Sequence, residues 1–313
     1  VEQPHVTPRI ASLLPSATEI ACALGFADAL VARSHECDFP EEVDELPICT
    51  APKIDPQGSS QDIHNDVSAL LAQSLSVYRV DGALLRELAP THVLTQVHCE
   101  VCAVSLGDVE ATLAEWSGER PRVVALSPSS LEEVFEDLER VASSLGVPGR
   151  GRALACRLRS RMAEVAARAR SLPRPRVATI EWLAPPMTAG NWMPDLVEMA
   201  GGQNLFGESG RHSGETSWQE IAASDPDVLA IFPCGFLLPR VEEEIASIAA
   251  TRTWREFRAV REGRVVAFDG QRFFNRPGPR VAETLEMLAE ALHPGAFAPR
   301  WENDGFRRLA AIS

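Results

Sequence analysis

The sequence predicts an α/β protein with mainly parallel sheets, and three observations carry that expectation. Short apolar runs such as RIASLL, HVLT, RVATIE and VLAIF alternate with segments of helical periodicity. That order places helices on the faces of a parallel sheet. The stretch 147–172, VPGRGRALACRLRSRMAEVAARARSL, has no proline or glycine after Gly151 and is rich in helix-favouring residues. Finally, the strand-and-helix alternation stops at this stretch and restarts after Pro173. Leu154, Leu158, Met162, Val165 and Ala169 share one helix face, while Arg152, Arg159, Arg161, Arg168 and Arg170 fill the rest. At its ideal rise such a helix spans roughly 35 Å. It reads either as a connector between two lobes or as a long surface helix of one domain.

In the first half, 9–14 is a strand, and Ser16 is read as the N-cap of a helix with Glu19 at the capping-box position. A strand at 30–33 leads into Ser34-His35-Glu36-Cys37, and 50–66 reads as loop. Helices follow at 67–74 and 81–88, and the strand HVLT runs into His98-Cys99-Glu100-Val101-Cys102. Helix 108–116, strand 122–126 and amphipathic helix 129–145 complete this half. In the second half, strand 176–181 precedes a loop over 182–191, then helices 193–200 and 217–223 and strand 228–232. Helix 241–250, strand 264–268, loop 269–279 and helix 280–292 follow, and 293–313 is a tail without strong periodicity. The domain reading is therefore a lobe over 1–146, a connecting helix over 147–172, and a second lobe with its tail over 173–313.

A net charge of −14 without a basic, aromatic-interleaved stripe argues against nucleic acid as partner. No apolar run reaches the length of a membrane span. No signal peptide is visible, although a start at Val1 is compatible with a leader that has been removed. Seven cysteines in no disulfide-scaffold spacing favour a reducing, cytoplasmic compartment.

Four segments in order, RIASLLPSATEIACALGF, PPMTAGNWMPDLVEMAGGQNLF, SWQEIAASDPDVLAI and FFNRPGPR, resemble the vitamin B12-binding component of bacterial ABC importers. The resemblance runs from about Arg9 to Leu292 and implies two α/β lobes joined by one long helix, with a cobalamin-like corrinoid in the cleft between them. It also implies a periplasmic, monomeric, non-enzymatic protein that delivers its ligand to ABC-transporter membrane subunits, while a soluble cytoplasmic carrier or salvage protein for the same ligand is equally compatible with the residues. The matching loops contribute Trp182, Trp192 and Phe273 or Phe274 as flat apolar faces for a corrin ring. Pro15, Ser16, His35, Glu181, Asn191 and Phe236, at or just beyond strand ends, complete the candidate contacts. Members dock through one exposed glutamate per lobe. Here the first falls near Ala83, with Asp81 or Glu87 as substitutes, and the second region offers Asn275 and Arg276.

The cysteines depart from that family pattern. Cys37, Cys99, Cys102 and Cys234 each follow a predicted strand, so parallel topology would bring their loops to sheet edges. Four thiolates can hold zinc or an iron–sulfur cluster, with His35 and His98 as nitrogen alternatives. Free thiols, or a disulfide between Cys99 and Cys102, are the competing readings. A metal- or cluster-dependent protein, possibly an enzyme, is thus the alternative function. No GxSxG elbow, Walker loop or GxGxxG occurs, and Lys53 is the single lysine.

Overall fold

The computed structural model describes residues 8–73, 75–97, 104, 106–114, 116 and 119–311. Its contacts divide the chain into two compact units. The first holds Val1–Gln57, Asn65–Ser127 and Phe135–Ala155, and the second holds Gly58–His64, Pro128–Val134 and Cys156–Ser313.

The elements up to the long helix are β1 (Ile10–Ser12), α1 (Pro15–Ala23), β2 (Leu30–Arg33), β3 (Thr50–Pro52) and α2 (Ser60–Ala72). They continue with β4 (Tyr78–Val80), α3 (Gly82–Leu88), β5 (His92–Gln96), α4 (Leu106–Ala114), β6 (Arg122–Leu126), α5 (Leu131–Ser144) and α6 (Pro148–Ala169). In the first unit β2, β1, β5 and β6 form a parallel sheet in that order, and β3 pairs with β4 antiparallel. The fold is the α/β, mainly parallel arrangement that the alternation of patterns predicts.

Three boundaries differ from the sequence reading, each for a local reason. α1 starts at Pro15, with Leu14 at the N-cap, so Ser16 lies inside the helix and is buried. Proline tolerates the first helical position because the amide hydrogen it lacks would have no partner there. α2 starts at Ser60, well inside the expected loop. Asp62 accepts from the Ser59 hydroxyl at 2.6 Å, and the Asp62 amide donates to Ser59 Oγ at 3.2 Å, a reciprocal cap built with aspartate. The strand pair β3–β4 also takes up part of that loop. The long helix α6 buries Leu154, Leu158, Met162 and Ala169 as its periodicity predicts. Gly151 is required where α6 meets α5, because a Cβ there would lie 2.5 Å from Ala142 Cβ.

The second unit continues with β7 (Arg176–Leu183), β8 (Pro186–Thr188), α7 (Met193–Met199), β9 (Gln203–Asn204), β10 (Gly214–Glu215), α8 (Trp218–Ala223) and β11 (Val228–Ile231). It ends with α9 (Leu238–Ala249), α10 (Arg252–Glu256), α11 (Arg258–Arg261), β12 (Val265–Phe268), α12 (Val281–Leu292) and β13 (Phe306–Leu309). β7, β11 and β12 are parallel and central, and their buried runs read as continuous apolar sequence. The expected loop 182–191 is instead a hairpin, β7 running to Leu183 and turning back antiparallel as β8. Phe274 packs 4.7 Å from Phe232 and 4.5 Å from Phe268, and Phe306 closes the cluster at 5.5 Å from Phe268.

The tail is ordered by long-range pairing that local periodicity does not reveal. β13 lies antiparallel to β12 along the sheet edge. The buried Glu290 carboxylate accepts the backbone amides of Arg300 and Trp301 at 3.0 Å each and of Glu302 at 3.3 Å. Removing that acceptor leaves several amides unsatisfied. Glu290→Ala is therefore expected to destabilise the protein by roughly 1.5–3 kcal/mol, the worth of a hydrogen bond to a charged group. Denaturant unfolding checks this, and an unchanged midpoint would refute it.

Candidate functional site

Open α/β sheets bind ligands at the carboxyl ends of their strands. In the second unit the loops at that edge are tied to one another. The Cys234 amide donates to the Glu181 carbonyl at 3.1 Å, and the Gln271 amide to the Phe236 carbonyl at 3.0 Å. The Asn275 side-chain amide donates to the Phe232 carbonyl at 3.1 Å. Buried Asp269 accepts the Arg272 amide at 2.7 Å, and burial pushes its carboxyl above the ordinary range. Gly270 permits the close approach of the two loops, since a Cβ would fall 2.1 Å from the Pro233 carbonyl oxygen.

On this scaffold the Trp182 ring packs 5.4 Å from Phe236, and the Arg240 guanidinium lies 4.5 Å from the Phe236 centroid. Beside the β7–β8 turn is a cavity of about 300 Å³, lined by Leu183, Pro185, Pro186, Trp218 and Trp254, with Gln61 as a polar member. Gln61 belongs to the segment Gly58–His64. That segment is held by Ser60 Oγ donating to Glu244 at 2.8 Å and by Arg240 donating to the Gly58 carbonyl. The site is apolar and aromatic, with few polar groups, as small-molecule pockets commonly are.

The predicted contacts are distributed unevenly around it. Trp182, half-buried, donates its indole N–H to the Ala184 carbonyl at 3.2 Å and lies within β7 rather than in the expected loop, next to Glu181 in the same strand. Phe236 is buried beneath Trp182 and Arg240. Phe274 is fully buried in the aromatic core, and Phe273 is nearly so against Trp301. Neither presents a face to the cavity. Trp192 is buried at the N-cap of α7, and the Asn191 amide donates to the Arg211 carbonyl at 2.6 Å, so this turn is held by backbone pairing. Trp254 is buried in the core of the second unit and Trp218 packs against it, and both also line the cavity. Their signal is the capping residue before each, Ser217 and Thr251, which sets a tryptophan on the first turn of a short helix.

At the carboxyl edge of the first sheet, β1 lies between β2 and β5, so the strand order reverses beside it. Pro15 is half-buried there and Ser16 is buried. The Thr18 hydroxyl reaches Ser12 Oγ at 2.8 Å and Cys37 Sγ at 3.0 Å. Cys37 is thus a buried, hydrogen-bonded thiol, which corrects its reading as a cleft-facing metal ligand. His35 Nδ1 lies 2.7 Å from Thr50 Oγ1, and its ring is 5.5 Å from Tyr78. Burial first, and the Arg33 charge second, push this imidazole down to about 4. A polar depression of about 430 Å³ adjoins Thr50, with Cys49, Arg79 and Asp81 in its wall. Burial, aided by Asp81, pushes the Cys49 thiol up to about 11.

His98, Cys99 and Cys102 lie outside the described residues. Among the described residues, no three histidine, cysteine or acidic side chains are grouped to hold a metal ion. Cys234, half-buried in the second unit, gains no described metal-ligating neighbours. The zinc or iron–sulfur expectation therefore has no support in these residues. Asn275 and Arg276, which stand where the resemblance places the second docking glutamate, point inward: the Asn275 amide bonds within the loop, and Arg276 is buried. Asp81 caps α3 by accepting the Leu84 amide at 3.0 Å, while Glu87 is exposed.

Comparison with known proteins agrees with this architecture. A curated vitamin B12-binding protein of Vibrio cholerae is 25% identical over 293 residues, spanning 93% of this chain and 91% of that one. An ABC transporter substrate-binding lipoprotein of Bacillus subtilis is 22% identical over 300 residues, spanning 92% and 81%. Among solved structures, a periplasmic heme-binding protein from Pseudomonas aeruginosa matches with a TM-score of 0.71 at 20% identity, covering 98% of this chain and 100% of that one. The periplasmic vitamin B12-binding protein of Vibrio cholerae matches with a TM-score of 0.65 at 22% identity, covering 91% and 96%. The model of the periplasmic binding protein family matches residues 10–271, and this chain belongs to that family.

Proposed function

We propose that this protein binds a cobalamin-like corrinoid reversibly and hands it to the membrane subunits of an ABC importer. The observation that carries the reading is the tryptophan- and proline-lined cavity at the carboxyl edge of the second unit. A corrin presents broad apolar faces fringed by amides. Flat side chains such as Trp218, Trp254 and Trp182 suit the faces, and Gln61 or Glu181 can orient an amide. At about 300 Å³ the cavity takes one edge of such a ligand rather than the whole. Pro15 and His35, partly exposed at strand ends of the first unit, are proposed as ligand contacts of that unit. Curated relatives described as vitamin B12-binding support the ligand class. The family supports a place outside the cytoplasm over the cytoplasmic reading of the free thiols. Glu87, exposed at the end of α3, is the proposed docking carboxylate in the first unit.

The role is binding and release, with no reaction assigned to the protein itself. Titration with cyanocobalamin, cobinamide and hemin in parallel tests it. Saturable one-to-one binding of the two corrinoids, tighter than hemin, is expected. Absence of heat and of any spectral change at tens of micromolar corrinoid would overturn the reading. Trp218→Ala removes an aromatic wall and is expected to weaken corrinoid binding about tenfold, or ~1.4 kcal/mol. An unchanged Kd would remove the cavity from the site.

A further inference from the structure

The cavity beside the β7–β8 turn is walled largely by hydrocarbon. Among the described residues that line it none is charged, and besides the indoles only Gln61 and Thr251 carry polar side-chain atoms. The Thr251 hydroxyl is committed locally. It donates to the Ile248 carbonyl at 2.8 Å and accepts the Trp254 amide at 3.3 Å as the cap of α10. Gln61, exposed in the first turn of α2, is the lining side chain that brings both N–H donors and a carbonyl acceptor.

The backbone that carries Gln61 is fixed within the second unit. The Ser60 hydroxyl and amide both donate to the Glu244 carboxylate, at 2.8 and 3.4 Å. Arg240 donates to the Gly58 carbonyl, and Ile63 packs against the apolar core of this unit. Arg240 is the cation at this turn, and it is already engaged with Glu244 at 3.5 Å and over the Phe236 ring at 4.5 Å. A charged group brought to Gln61 therefore meets a neutral amide and apolar walls, with a carboxylate bonded to the preceding residue.

A primary amide and a glutamine side chain can exchange two hydrogen bonds, the N–H of each meeting the carbonyl oxygen of the other. A carboxylate accepts from the glutamine N–H but leaves Oε1 facing an anionic oxygen. Its charge also loses hydration against the apolar walls. Large metal-bearing rings differ in this respect, since corrinoids are fringed by amides and porphyrins by carboxylates. We propose that Gln61 is a specificity-determining residue that selects an amide-fringed ring over a carboxylate-fringed one. This rests on the corrinoid reading above and adds to it the means of choice.

Hemin differs from a corrinoid in ring, metal and fringe together, so it cannot isolate the fringe. Dicyanocobinamide and dicyanocobyrinic acid share the corrin and a cobalt capped on both faces, and differ in carrying amides or carboxylates. The wild-type protein is expected to bind the amide form about tenfold more tightly or better. Gln61→Leu keeps the charge and removes the donor and the acceptor, and is expected to lower that ratio about fivefold or more. Gln61→Lys supplies a cation and no acceptor, and is expected to lower it further. The position is exposed, so both variants are expected to keep the wild-type circular dichroism spectrum. An unchanged ratio in Gln61→Leu would overturn selection by Gln61 and leave the corrinoid reading standing. Failure of the wild type to bind either ring would overturn both.

Discussion

Parallel strands cannot be joined by tight turns, because each must begin where its neighbour begins. Every connection returns over a sheet face, and every strand opens at the same edge. In the second unit this gathers the loops after β7, β11 and β12, although Glu181, Cys234 and Gln271 are far apart in sequence. Bonds between those loops then do for the irregular backbone what a sheet ladder does for strands. Glycine at 270 and the buried Asp269 carboxylate are both consequences, one allowing close approach and the other satisfying the amides left over. The carboxyl edge of the second unit is therefore internally hydrogen-bonded across its loops.

Periodicity made the architecture legible from sequence, because buried parallel strands and amphipathic helices write themselves as apolar runs and helical spacing. The long helix and the strands RVATIE and VLAIF are clear for that reason. The start of α2 was not, since its first turn is polar and its cap uses Asp62 where glutamate is the usual signal. β13 was not, because it is specified by β12 and by Glu290, neither of which is local.

The candidate site was legible in part. Topology placed Trp182, Phe236 and His35 at strand ends, and they are found at sheet edges. What topology does not give is the direction of a side chain. Cys37 follows its strand as expected, yet its sulfur turns into the body of the unit toward Thr18. Phe274 follows β12 closely and turns into the aromatic core. The cavity itself joins Gln61, Pro186, Trp218 and Trp254, residues that no sequence window contains together.

The antiparallel edge strand β13 bears on how the chain is made. β12 is a fully buried apolar strand, and one side of its backbone is satisfied only when 306–309 comes to lie against it. Between the two lie α12 and the stretch that Glu290 pins. During synthesis, therefore, the second sheet carries a bare apolar margin for the time needed to translate several dozen residues, a matter of seconds. Such a margin is a template for pairing with other chains. The helix that separates β12 from its partner can cover neighbouring core in that interval, so the order of elements along the chain limits how long the sheet stands unfinished.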